Sequence, residues 1–292
     1  MAVVYINGEF YDKREDAKIS VWDHGFLYGD GVFEGIRVYE GRVYKCKEHL
    51  QRLYDSAKTI ALKMPYPIEK MEELMLETIR RTGEKNCYIR LVVSRGIGDL
   101  GLDPGKCKEP TVVIICDTIQ LFPEELYDVG VKVIIAATRK NFPESLNPNV
   151  KSLNYLSNIL AKVEAVQAGV PEAIQINIHG YITEGTADNI FVVKNGAIRT
   201  PPSSAGILVG ITRNAIIDCA KDLNINITEE NMTSHDLYTA DEIFLSGTAA
   251  EMIPVVEVAG RTIGNGKPGP VYKKLLAELR SHTRREGTEV YK

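Results

Sequence analysis

No two cysteines in this chain are spaced to share a metal or a redox motif. The five present, Cys46, Cys87, Cys107, Cys116 and Cys219, are odd in number and dispersed, which argues against a disulfide framework and a zinc site and leaves the thiols to be reduced and buried. The five histidines lack His-x-x-x-His or comparable spacing, so no metal is assigned. Basic excess is missing too: 35 Lys and Arg face 39 Asp and Glu, a formal net charge of −4. That excludes a polybasic surface for nucleic acid or membrane and points to small-molecule partners. No apolar run approaches bilayer length and none follows a basic N-terminal segment, so a cytoplasmic location is the default expectation. Internal repeats and low-complexity tracts are also lacking. What is present is 292 residues with 44% apolar content, enough for one large or two medium domains with a sizeable core.

The pattern along the chain mixes hairpins and helices. Val3–Ile6 and Glu9–Tyr11 flank Asn7-Gly8, a two-residue hairpin signal. A second hairpin is expected around Glu40-Gly41, then helices over Lys47–Leu62 and Ile68–Thr82, the latter stopped by Gly83. Cys87–Ser94 and Thr111–Cys116 read as strands around a glycine-rich loop. From Asp117 to about Leu126 the pattern lapses, as an interdomain connection would. Beyond it come a strand at Val131–Ala137, strands from Ala173 to Thr200 with a turn at Asn195-Gly196, a helix after Gly210, strands at Glu242–Leu245 and Val255–Val258, and an amphipathic helix from about Pro270. This alternation argues against a simple doubly wound fold.

One lysine stands where chemistry is done. Lys151 lies between the turn-forming Asn147-Pro148-Asn149 and an apolar-periodic stretch, Leu153, Leu156, Leu160 and Val163, for which Ser152 is the expected N-cap. An ammonium between valine and leucine is disfavoured by desolvation, and a lysine that loses its proton is a nucleophile toward aldehydes. Alone it reads equally as a solvated loop lysine. Glu184 changes that balance. It sits among apolar strand residues before Gly185 and needs a cationic partner or a proton; the pyridinium nitrogen of pyridoxal phosphate would serve.

Other stretches are ambiguous singly. Arg52 on the first helix can hold a phosphate or be solvated. Ile211 and Thr212, after Gly210, open a helix whose N–H groups suit a phosphate, or they are merely an ordinary helix start. Ser246-Gly247-Thr248-Ala249 offers turn amides at a strand end. Tyr155, four residues after Lys151, places a hydroxyl within reach of a ring oxygen or is simply core.

Taken together, these stretches resemble the class IV, or fold type IV, pyridoxal-phosphate aminotransferases, and more closely the branched-chain amino acid aminotransferases. The run Asp23-His24-Gly25-Phe26-Leu27-Tyr28-Gly29-Asp30-Gly31-Val32-Phe33-Glu34-Gly35-Ile36-Arg37 resembles their N-terminal signature, and Tyr88-Ile89-Arg90 their carboxylate-binding strand. The likeness implies an α+β, two-domain fold type IV architecture like that of D-amino-acid aminotransferase. A small N-terminal α+β domain would span residues 1–119, an interdomain loop 120–126, and a larger mixed β/α domain holding pyridoxal 5'-phosphate 127–292.

By the same likeness Lys151 carries the imine and shuttles protons, Glu184 pairs with the ring nitrogen and Tyr155 bonds the ring hydroxyl oxygen. Arg52, Ile211, Thr212 and Thr248 hold the phosphate with Gly210 and Gly247 beside them, and Leu208 lies against the ring. Tyr88, Thr248 and Ala249 take the substrate α-carboxylate; Arg90 and a neighbouring subunit's tyrosine matching Tyr28 meet the distal one. Phe33 and Leu102 supply apolar walls, and Arg37 completes the substrate set. The partners implied are amino acids and 2-oxo acids and, because Tyr28 and Leu102 would reach the neighbouring site, at least a homodimer. The reaction implied is ping-pong transamination of leucine, isoleucine and valine with 2-oxoglutarate. One departure concerns Glu184-Gly185-Thr186-Ala187-Asp188-Asn189, where many relatives read Glu-Gly-Ser-Gly-Glu-Asn. The competing readings are a D-amino-acid aminotransferase, which does not ordinarily carry Phe-Glu-Gly-Ile-Arg or Tyr-Ile-Arg, an aminodeoxychorismate lyase, and a non-catalytic pyridoxal-phosphate binder.

Overall fold

The computed structural model describes residues 2–119 and 122–291; Gln120 and Leu121, which open the expected interdomain loop, lie outside the described residues. In chain order the first elements are β1 (Val3–Ile6), β2 (Glu9–Tyr11), α1 (His24–Tyr28), β3 (Gly31–Tyr39), β4 (Arg42–Val43), α2 (Cys46–Thr59), α3 (Ile68–Thr82), β5 (Cys87–Ser94) and β6 (Thr111–Asp117). There follow α4 (Glu125–Val129), β7 (Val131–Ile135), α5 (Leu156–Gln167), β8 (Glu172–Ile174), β9 (Asn189–Lys194), β10 (Ala197–Thr200) and α6 (Ile211–Asp222). The last are β11 (Ile227–Glu229), α7 (Ser234–Tyr238), β12 (Glu242–Gly247), β13 (Glu251–Val258), β14 (Arg261–Thr262), α8 (Pro270–Arg285) and β15 (Thr288–Glu289).

These elements form two units. One gathers Met1–Ile119, Val150–Asn154 and Thr283–Lys292; the other, Gln120–Asn149 and Tyr155–His282. The first holds a seven-stranded sheet of order β15-β4-β3-β5-β6-β1-β2, whose neighbours all run antiparallel. In β3 and β5 alternate residues reach the core, where Val32, Ile36, Val38, Ile89, Leu91 and Val93 pack with Leu50 and Leu53 of α2 and Met71, Met75 and Ile79 of α3. Burial on that scale contributes about 1.5–3 kcal/mol per large apolar side chain. Positive φ at Gly83 closes α3 in the left-handed C-cap that its sequence predicts.

The second unit holds a mixed sheet of order β11-β10-β9-β12-β13-β7-β8, with β14 on β13. The pairs β10–β11, β13–β7 and β7–β8 are parallel. Ile190, Val192, Ile243, Leu245, Ile253 and Val255 form its core.

Two expectations are corrected. Ser152 does not cap the helix, which starts at Leu156 with Tyr155 as N-cap. The reason is that Lys151–Leu153 extend along β3: Phe33 N–H donates to Lys151 O and Leu153 N–H to Gly31 O, both at 2.9 Å, with Val32 and Ser152 bridged. That pairing puts the Lys151 stretch in the first unit, although it follows the interdomain connection in sequence. The apolar stripe of α5 also faces outward: Leu156, Leu160 and Val163 are exposed, while Ala161 and Ala165 are buried. Small residues let the helix approach β8 closely. Among the described residues no helix is long and apolar enough to cross a membrane.

Candidate active-site residues

In the first unit, register does the sorting. Opposed residues of antiparallel strands share a face, so the pairs Phe33↔Val92, Gly35↔Arg90 and Arg37↔Tyr88 collect one set of side chains. The Ser152–Val32 bridge turns Lys151 to the same side as Phe33. The Phe33 ring accordingly lies between two cations, with Lys151 Nζ 4.6 Å and Arg90 Cζ 4.4 Å from its centre. Lys151 N–H donates to Ser56 Oγ at 3.2 Å, fixing the backbone that carries the amine. Gly35 is needed here for space: a Cβ on it would stand 1.9 Å from the Tyr88 hydroxyl. Arg37 stacks over Tyr39 at 4.8 Å.

The opposite face of β3 buries Glu34 completely, directed at α2. Arg52 forks it, Nε to Oε1 at 2.7 Å and Nη2 to Oε2 at 2.9 Å, and His49 Nδ1 lies 2.8 Å from Oε2. Burial alone would raise the Glu34 carboxyl, but Arg52 and His49 outweigh it and hold it at about 2. Burial lowers His49 despite the neighbouring carboxylate, so the imidazole donates its Nδ1–H as a neutral ring. Arg52, expected as a phosphate ligand, is thus anchored first by a carboxylate, an arrangement that sequence reasoning missed.

The signature around Asp23 does structural work. Asp23 caps α1 through Gly25 N–H and accepts from Ser94 Oγ, and His24 Nε2 meets Asp99 O at 3.0 Å. Tyr28 hydroxyl accepts from Gly101 N–H at 3.0 Å, beside Leu102, which is 82% exposed.

In the second unit Glu184 is buried and ringed by donors. Oε2 accepts from Asn189 Nδ2 at 3.0 Å and Leu208 N–H at 3.1 Å, while Oε1 lies 2.7 Å from Lys140 Nζ. Asn189 Nδ2 also donates to Leu208 O. A Cβ at Gly210 would stand 2.0 Å from Asn189 Oδ1, and one at Gly247 2.1 Å from Asp188 Oδ1. Gly210 begins α6 with no side-chain cap, so the first amides, at Ile211 and Thr212, face no side chain of the cap residue. Ser246 Oγ, buried beside the Gly247-Thr248-Ala249 turn, has no hydrogen-bond partner. Tyr155 is half-buried at the start of α5. The altered turn after Glu184 is secured through Thr186, whose N–H and hydroxyl both donate to the buried Glu172 carboxylate.

A family model, the amino-transferase class IV, matches residues 31–258. A chain of Methanocaldococcus jannaschii is 51% identical over 288 residues, covering 99% of each chain. The branched-chain-amino-acid aminotransferase of Salmonella typhimurium is 38% identical over 93% of this chain and 90% of its own. The crystal structure of a thermophilic (T.th.) branched-chain amino acid aminotransferase complexed with N-(5'-phosphopyridoxyl)-L-glutamate superposes with a TM-score of 0.90 at 36% identity, covering 97% and 95% of the two chains. The same enzyme has been crystallised with 4-methylvaleric acid. This chain belongs to the class IV aminotransferases and has their fold.

Members of the class use pyridoxal phosphate, and the residues present fit it. A carboxylate ringed by donors suits a protonated ring nitrogen. The tight Gly210–Asn189 approach sets that carboxylate's hydrogen-bond partner against the α6 N-terminus, where phosphate is favoured, and the orphaned Ser246 hydroxyl adds an unused donor.

The Glu34 pair makes stability depend on pH. A carboxyl at about 2 when folded, against an ordinary 4.5, adds stability above pH 4.5 that is lost as pH falls toward 2, on the order of 3 kcal/mol. Urea unfolding across that range should show a steeper acid loss for the wild type than for Glu34→Gln; parallel slopes would show that the pair adds nothing.

Proposed function

We propose that the chain transaminates branched-chain L-amino acids with 2-oxoglutarate, giving branched-chain 2-oxo acids and L-glutamate. The observation that carries this reading is the β3–β5 face, where the Phe33 ring sits between the Lys151 amine and the Arg90 guanidinium. An apolar surface bordered by a fixed cation suits a branched side chain in one half of the reaction and a distal carboxylate in the other. The thermophilic relative, crystallised with both a phosphopyridoxyl-glutamate and a branched aliphatic acid, supports the same dual demand.

When bound, pyridoxal phosphate supplies an aldehyde for the substrate amine and a cationic ring that takes up the electron pair left at Cα. Lys151 is the residue that joins it covalently, and its Nζ then takes the substrate α-proton and returns it on the far side of the exchange. Glu184 holds a proton at the ring nitrogen. Tyr155 donates toward the ring hydroxyl oxygen, and Leu208 packs on the ring. Arg52, the Ile211 and Thr212 amides, and Gly247 and Thr248 bind phosphate. Tyr88, Thr248 and Ala249 receive the α-carboxylate; Arg90 and Arg37 supply positive charge; Phe33 and Leu102 line the apolar side. Two half-reactions through one site make the kinetics ping-pong.

A second copy of the chain completes the assembly. Leu156, Ile159, Leu160, Val163 and Val166 form a stripe along α5 that is exposed throughout, Leu156 by 67%, and a stripe of that kind marks an interface. Tyr28 and Leu102 reach the neighbouring site. Reduced free thiols accord with a cytoplasmic location.

Adding L-leucine or L-glutamate, without acceptor, to the loaded enzyme should convert the bound cofactor to its amine form, read by absorbance; a response to D-alanine alone would overturn the reading. Lys151→Ala should abolish turnover with the melting temperature nearly kept, and substantial residual activity would remove Lys151 from its role. In Gly35→Ala the new methyl displaces the Tyr88 hydroxyl, so KM for L-leucine should rise about tenfold or more through the lost charge-assisted hydrogen bond; an unchanged KM would release Tyr88 from carboxylate binding. For the assembly, Ile159→Lys with Val163→Lys should shift sedimentation from oligomer to monomer, and an unaltered oligomer would place the interface elsewhere.

A further inference from the structure

We propose that Lys140 is a positioning residue for Glu184, supplying the fixed positive charge that keeps this carboxylate ionised and aimed while it holds a proton at the ring nitrogen. The inference rests on the role given to Glu184 above. Lys140 lies just after β7 and is 6% exposed. A buried ammonium is costly unless paired, and its partner is Glu184 Oε1 at 2.7 Å. Its own N–H donates to Ile176 O at 3.0 Å, so the backbone below the amine is fixed by the second unit. The amine's other contact is Asn158 Oδ1 at 3.4 Å. Asn158 in turn donates to Thr186 O at 2.6 Å, in the turn that follows Glu184.

The division of donors around Glu184 shows why a cation is required. Oε2 is taken by two neutral donors, Asn189 Nδ2 and Leu208 N–H, and Oε1 by the lysine. A buried carboxylate facing neutral donors alone is pushed by desolvation toward its protonated form, and a neutral carboxyl cannot stabilise positive charge on a ring nitrogen. Lys140 is the charged side chain within ion-pair distance of Glu184 among the described residues. Because Coulomb attraction falls with distance, its effect is concentrated on the oxygen it touches. It therefore favours the ionised carboxylate and leaves the shared proton on the ring. A lysine serving the fold alone would satisfy the ion pair and have no bearing on the rate.

Lys140→Met removes the charge at similar length, and Lys140→Arg restores it. In the loaded enzyme Lys140→Met should lower kcat about 10- to 100-fold, the usual range for a group that orients a reacting residue, with KM for L-leucine little changed; Lys140→Arg should recover kcat to within a few-fold. In cofactor-free protein at neutral pH, infrared difference spectra should show a protonated-carboxyl stretch in Lys140→Met that is missing from the wild type, from Lys140→Arg and from the Lys140→Met, Glu184→Gln double variant. Wild-type kcat in Lys140→Met, or no such band, would overturn the proposal. Should that variant not fold, Lys140→Gln keeps a donor without the charge, and wild-type turnover there would overturn it equally. A wild-type rate in Glu184→Gln would instead overturn the role of Glu184 itself.

Discussion

Strand alternation is the constraint on which the first unit depends, because β3 carries charge on one face and recognition on the other. Glu34 is turned into the core, where an unpaired carboxylate would not be tolerated. Its fork to Arg52 and contact with His49 fasten α2 to the sheet. The residues on either side of it, Phe33 and Gly35, face the other way and present a ring and an open space for the Tyr88 hydroxyl. A slip of one residue in the β3–β5 register would put Phe33 in the core and Glu34 on the recognition face, exchanging both functions for neither. The ladder of eight paired positions between β3 and β5 specifies that register.

The second unit meets the same difficulty with other means. Its buried acids, Glu184 and Glu172, each lie where a turn or loop returns to the sheet, and each is surrounded by donors from elements distant in sequence. Glu184 draws on Lys140, Asn189 and the Leu208 amide; Glu172 draws on Thr186 and Lys162. The two acids are linked through the chain itself, since Thr186 lies two residues beyond Glu184. The turn that differs from many relatives is therefore held by a hydroxyl that the substituted residue provides, and the glutamate before it keeps its place.

Much of this was legible from local chemistry. Asn7-Gly8 and Asn195-Gly196 mark their hairpins because positive φ is inexpensive there, and α3 starts and stops where its periodicity and Gly83 say it should. Lys151 and Glu184 stood out because each is a charge in apolar company. The failures came where an element's environment, absent from the local sequence, decides. Leucines at helical spacing announce α5 but not which side faces the sheet, and the small Ala161 and Ala165 took the inner side. Ser152 looks like an N-cap until its neighbours pair with β3. Lys140 sits in a polar turn sequence with no periodicity, and nothing near it signals a buried acid so much further along the chain. Arg52 was visible as a cation, but its prior claim by Glu34 was not.

That prior claim has a thermodynamic use. Arginine and lysine lose much rotamer freedom when immobilised, and a ligand that must order them itself binds more weakly. Where a buried carboxylate already fixes the guanidinium, as Glu34 fixes Arg52, the ordering cost is met in folding. The planar fork also leaves donors that a carboxylate does not exhaust. The same logic applies with signs reversed at Glu184, where Lys140 and two neutral donors orient the carboxylate. Each pair is close to neutral as a whole, so neither unit is left with an unbalanced buried charge before a ligand arrives. Preorganisation and stability then draw on one set of contacts, which is why a charge such as Lys140 can bear on the reaction without belonging to the residues that perform it.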